Sequence, residues 1–124
     1  MSHISKIELK INDLDALRRA CDRLNLEFRQ WQGRFLWYNG KMKCDHAIAV
    51  PDASYEIGVV RKDNEYDLLW DDWNAGGLTQ RLGPGAGLLK QAYTVERVRA
   101  EARKKNLRFS ETNRNEGIRL VLTS

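Results

Sequence analysis

Apolar and polar residues alternate at period two near the start of the chain, where Ile7, Leu9 and Ile11 interleave with Lys6, Glu8 and Lys10. That is the pattern of a strand with one buried and one wet face. The period then changes. Leu14, Leu17, Cys21 and Leu24 recur at helical spacing behind Asn12 and Asp13, either of which can cap, so an amphipathic helix is predicted over 13–25. Two hairpins follow. Residues 35–38 and 42–50 flank Asn39-Gly40, the dipeptide that suits a type I′ turn, and Met42, Cys44, His46, Ile48 and Val50 share a face until Pro51 ends the strand. Tyr55, Ile57 and Val59 then pair with Tyr66, Leu68 and Trp70 across a polar loop at 61–64.

Residues 74–87 break both periods. Gly76, Gly77, Gly83, Gly85 and Gly87 with Pro84 predict a flexible glycine-rich loop without regular structure. Beyond it Leu88, Ala92, Val95, Val98 and Ala102 trace a second helix to about Lys105, with Lys104 and Lys105 complementing its dipole. Leu107 and Phe109, then Ile118, Leu120 and Leu122, predict a last hairpin closed around Asn115-Glu116-Gly117. Strands outnumber helices, and most connections read as hairpins. The predicted fold is therefore α+β: a single domain over 1–124, mainly antiparallel sheet with two helices packed on one face. Such a layout leaves the second sheet face exposed as a docking platform for some of Trp31, Trp37, Tyr38, Tyr55, Trp70 and Trp73. Trp37, Tyr38 and Tyr55 are the candidates for protein docking, set against the plainer role of aromatics as core.

Length and composition narrow the class. With 124 residues and 42% of them hydrophobic, the chain can bury one core of ordinary size. Its apolar runs are only a few residues long, far short of the roughly 20 that cross a bilayer, and it opens without an apolar signal core. A cytoplasmic protein that keeps Cys21 and Cys44 as reduced thiols is expected. The net charge of +4 is mild but uneven. Asp63, Glu65, Asp67, Asp71 and Asp72 fall in one cation-free stretch. The segment 81–108 then carries eight cations against Glu96 and Glu101. Two solvated faces would explain this; so would a basic segment facing an anion or an acidic partner.

Candidate chemistry is sparse. Cys44 and His46 could offer two ligands to zinc, but only Cys21 and His3 remain to complete a site that needs about four, so no metal site and no cofactor are assigned. The same pair lacks an orienting acid and an oxyanion hole, which argues against a hydrolase, and no catalytic residues are assigned. Asp67, Asp71 and Asp72 could hold magnesium, yet no phosphate-binding loop accompanies them. The best local pointer is the glycine-rich entrance to the second helix, where exposed N–H groups at Gly85 and Gly87 with Arg81, Lys90 and Arg97 could receive an anionic ligand such as a nucleotide. Arg34, Lys41 and Lys43 cluster with Trp37 and Tyr38 on one hairpin in a way that suits nucleic acid, although +4 is low for a domain that lives on phosphate contacts.

Four words carry a family resemblance: Tyr55-Glu56-Ile57-Gly58, Asn64-Glu65-Tyr66-Asp67-Leu68, Ala92-Tyr93-Thr94-Val95 and Glu116-Gly117-Ile118-Arg119-Leu120-Val121. With the opening Met1-Ser2-His3-Ile4-Ser5, they make most of the chain resemble the uncharacterised "ycf thirty-five"-like proteins of bacteria, cyanobacteria, algal plastids and bacterial viruses. The resemblance lends no chemistry. It implies a small non-enzymatic accessory or adaptor protein that works by protein–protein docking, with an ATPase of the AAA class or as an inhibitor of a host factor. The alternative is a module that binds a small anionic ligand or nucleic acid through the basic segment 81–108. No membrane partner is expected.

Overall fold

The computed structural model describes residues 4–114 and 117–123. In chain order the strands are β1 (Ile4–Lys6), β2 (Glu27–Arg29), β3 (Arg34–Trp37), β4 (Gly40–Lys43), β5 (His46–Ala49), β6 (Glu56–Lys62), β7 (Glu65–Asp71), β8 (Arg108–Arg114) and β9 (Gly117–Thr123). The helices are α1 (Leu14–Arg23), α2 (Leu78–Leu82) and α3 (Gly87–Lys104). An antiparallel five-stranded sheet runs in the order β1-β7-β6-β5-β2, while β3–β4 and β8–β9 are separate two-stranded ribbons. The fold is the α+β arrangement that the periodicities predict.

Register decides which side chains meet the helices. Ile48 faces Ile57 and Val59 faces Leu68, so these four share one side of the sheet. Leu17, Ala20 and Cys21 of α1 and Leu89, Ala92 and Tyr93 of α3 close over that side in one buried cluster. Asp13, one of the two caps that the sequence offered, starts α1 by accepting the Ala16 N–H at 3.0 Å. The Tyr93 hydroxyl, reaching over from α3, accepts the N–H groups of Asn12 and Asp13 at 3.2 and 3.3 Å. At the other end of α1 the carbonyl of Leu24 accepts the Arg81 guanidinium at 2.6 Å, a cation where the helix dipole is negative. Among the described residues no helix is long and apolar enough to cross a membrane.

Five details depart from expectation. The first strand ladders at Ile4–Lys6 rather than over 7–11. Lys6 faces Leu69 and Ile11 bridges Tyr66, so the β1 side carries extra residues that bulge outward, although Ile7 and Ile11 still turn inward. The long arm 42–50 is two strands. The chain kinks between them where the Cys44 N–H bonds Gly33 O at 3.0 Å and Asp45 Oδ2 accepts the Arg61 N–H at 2.7 Å. Trp37 pairs with Gly40, so Tyr38 and Asn39 form the turn. Of Asn39 and Gly40, only Gly40 has a positive φ, +111°, which excludes a type I′ turn on that dipeptide.

The fourth departure is the glycine-rich stretch 74–87. It is not a structureless loop but a chain of helical turns: 3-10 turns at Asn74–Gly76 and Pro84–Ala86 on either side of α2. Leu78, Leu82 and Ala86 are fully buried. The glycines lie at the helix boundaries, with Gly77 and Gly83 flanking α2, and so punctuate the segment without dissolving it. The inward stripe of α3 also starts one residue later than predicted, because Leu88 is exposed and Leu89 is buried. The β8–β9 ribbon is present, but its expected turn falls on residues 115–116, outside the described residues, as does His3.

Candidate docking groove

The sheet face opposite the helices is not left bare. Gly58 lies between Ile57 and Val59 and so faces the other way, and there the Phe35 ring occupies the space of its missing side chain: a Cβ on Gly58 would fall 2.4 Å from that ring. Phe35 is fully buried as a result, and the β3–β4 ribbon is seated across the sheet. Glu56, on the same face of β6, secures the ribbon's edge. Its Oε1 accepts the Leu36 N–H at 2.9 Å and the Gln32 amide at 3.1 Å, while its Oε2 takes Arg29 at 3.0 Å. At the turn, fully buried Asp71 accepts the Tyr38 N–H at 3.4 Å and the Trp73 N–H at 3.1 Å.

Between the ribbon, β2 and residues 50–55 this arrangement leaves an open groove of about 1270 Å³. Leu26, Phe28, Val50, Pro51 and Tyr55 supply its apolar lining. Arg34, Lys41 and Lys43 supply one wall. Arg34 pairs across the ribbon with Lys43, and Lys41 with Leu36, so all three cations project from the face opposite Phe35. Like charges set directly opposite one another destabilise a strand pair. Among the described residues no carboxylate lies within ion-pair distance of these three. The groove's Glu27 and Glu56 are both held by Arg29, at 3.2 and 3.0 Å. Arg18 adds a further cation beyond the wall, 5.8 Å above the Phe28 ring.

The connection from β2 to β3 borders the groove and is tied down by His46. The Trp31 N–H donates to His46 Nδ1 at 2.9 Å, and the two rings sit 4.4 Å apart with Trp31 66% exposed. Trp31 holds a left-handed φ of +58° to make this contact, an uncommon conformation for a bulky residue. A ring whose Nδ1 accepts carries its single proton on Nε2, and that atom is buried with no hydrogen-bond partner among the described residues. Burial holds the His46 pKa below its ordinary value, with Asp45 opposing the shift and Arg18 adding to it.

The residues singled out in the sequence are distributed as follows. Tyr38 meets Trp73 edge-on at 5.0 Å, and Tyr55 packs where a Cβ on Gly76 would fall 2.1 Å from its ring, so the two tyrosines and Asp71 form one neighbourhood. Trp37 is half-buried on the ribbon. Only Tyr55 of the three docking candidates lines the groove. The anion candidates do not converge. Arg81 is committed to Leu24 O and Arg97 to Asp13 at 3.1 Å. Gly85 and Lys90 share a cleft of about 400 Å³ that Arg97 does not reach. Asp67 pairs with Lys6 at 3.2 Å and Asp71 is closed over by backbone, so the aspartates do not gather either. Among the described residues no group of three or more His, Cys, Asp or Glu is arranged to hold a metal ion. Burial pushes the Cys21 thiol up to about 12 and Cys44 up to about 11, which makes both poor nucleophiles.

No protein-family model, no curated protein and no solved structure matches this chain. Arg18 and the β2 edge escaped sequence reading because Glu27-Phe28-Arg29 is too short to display a period. The basic cluster on the ribbon and Tyr55 are the parts of the groove that the sequence announced.

Proposed function

We propose that this protein is a non-enzymatic docking module that binds an acidic protein partner in the groove between the β3–β4 ribbon and β2. The observation that carries the reading is the set Arg34, Lys41 and Lys43, which meets no carboxylate at ion-pair distance among the described residues, beside an apolar floor. A phosphate backbone would also seek these cations, but single-stranded nucleic acid gains much of its affinity from stacking on aromatic faces. The exposed rings of Trp31 and Tyr38 lie outside the groove lining, and the two aromatics within it, Phe28 and Tyr55, are half-buried against the core, whereas Leu26, Val50 and Pro51 beside them suit aliphatic side chains. Complementary charge would steer the encounter and the apolar floor would hold the complex. An ATPase of the AAA class is the partner that the family resemblance adds to this reading.

A photo-reactive amino acid at Leu36, which is exposed on the cationic face, tests the proposal. It should capture a partner through an acidic segment, and Lys41→Glu with Lys43→Glu should abolish capture. Equal capture by the reversed variant would overturn the reading. So would tight, steeply salt-dependent binding of generic RNA or DNA at these residues.

A further inference from the structure

Strand β2 ends the five-stranded sheet, bonded to β5 on one side and to no other strand among the described residues. In such a strand every second residue turns its N–H and C=O away from the sheet, where they can template another strand. The groove runs along this edge, since Leu26, Glu27, Phe28 and Arg29 all line it. Resting on the docking reading above, we infer that the occupant is an extended acidic peptide that adds to the free edge of β2 as a sixth strand.

Pleating dictates the chemistry of that peptide. Glu27 and Arg29 face the ribbon side of the sheet, and Phe28 faces the other. An added strand alternates in the same way. Residues of one parity fall on the side walled by Arg34, Lys41 and Lys43, and carboxylates there would neutralise cations that meet no carboxylate among the described residues. Residues of the other parity fall beside Phe28, where aliphatic side chains extend the apolar surface. Main-chain bonds to β2 supply affinity, and the alternation supplies selectivity.

The test uses the full chain and two short peptides of identical composition, one alternating glutamate and valine, the other carrying the same residues in two blocks. The alternating peptide should bind and slow hydrogen exchange at those β2 amides that point away from β5. The block peptide, and the alternating peptide N-methylated on its ladder-forming amides, should bind about tenfold more weakly or worse, the equivalent of one or two hydrogen bonds. Equal binding of the block peptide, or binding without protection of β2, overturns the strand addition and leaves the docking reading standing. Binding of the alternating peptide that is indifferent to Lys41→Glu with Lys43→Glu overturns the docking reading itself. Failure of the alternating peptide to bind overturns the inference.

Discussion

The two faces of the central sheet are closed by different physics. On one, α1 and α3 lay down apolar stripes, and burial is shared among many side chains such as Leu17, Ile57, Leu68 and Leu89. On the other, the β3–β4 ribbon is held by one aromatic plug, Phe35 over Gly58, together with Glu56 and Asp71, whose carboxylates accept backbone N–H groups. A shared core tolerates small losses because its neighbours partly repack. A plug and two polar anchors have no such reserve, so the ribbon face is the one on which a local change moves a whole element.

The sharpest way to break the comparison is to delete one large side chain from each face. Phe35→Ala should cost about 4 kcal/mol and Leu17→Ala about 3, the usual range for fully buried aromatic and aliphatic truncations. The informative result lies in the pattern. Denaturant unfolding of the Leu17 variant should stay two-state with its slope unchanged, whereas in the Phe35 variant hydrogen exchange should rise first in the ribbon. A uniform rise across the molecule in both would erase the distinction.

A smaller effect is expected at Glu56. Glu56→Ala removes the acceptor of the Leu36 N–H, the Gln32 amide and Arg29, and should cost about 1 kcal/mol because the site is partly wet. The Leu36 amide should exchange faster while amides of α1 do not change.

Smallest of all is a pH effect at His46. Its folded pKa lies below its unfolded value, so the unfolded chain binds the proton more readily. The stability contributed by neutral His46 is complete above the ordinary value and is lost as pH falls through it toward the lower folded value. Protonated Nδ1 can no longer accept the Trp31 N–H, so the β2–β3 connection should loosen over the same window. Thermal melts from about pH 7 down to about pH 5 should show a decline that His46→Gln flattens. An equal decline in both proteins would assign it to other groups.

Legibility followed the range of the interactions. The β6–β7 hairpin could be read almost residue by residue, because alternation and a polar turn are local and Val59 does face Leu68. A helix cap at Asn12 or Asp13 was legible for the same reason, and Asp13 fills it. The β4–β5 kink was hidden because alternation runs on unbroken through Met42, Cys44, His46 and Ile48, while the bonds that bend the chain come from Gly33 and Arg61. In 74–87 the glycines masked Leu78 and Leu82, one helical turn apart on a helix too short to establish a period. The basic segment 81–108 read as free charge, yet Arg81 and Arg97 are spent on Leu24 O and Asp13, partners far back in the chain. The groove was the least legible part, since its cationic wall, its apolar floor and the β2 edge come from separate stretches that only the fold brings together.

The order of strands across the sheet also sets an order of assembly in time. Strands β5, β6 and β7 are consecutive and can zip through short hairpin closures, whereas β1 has no partner until Asp71 and its neighbours are in place to meet Ile4. Closing long loops early is entropically unfavourable, so the meander should nucleate and the first strand of the chain should dock among the last. Weakening β1 should therefore quicken unfolding and leave the refolding rate nearly untouched, and weakening β6 should do the reverse.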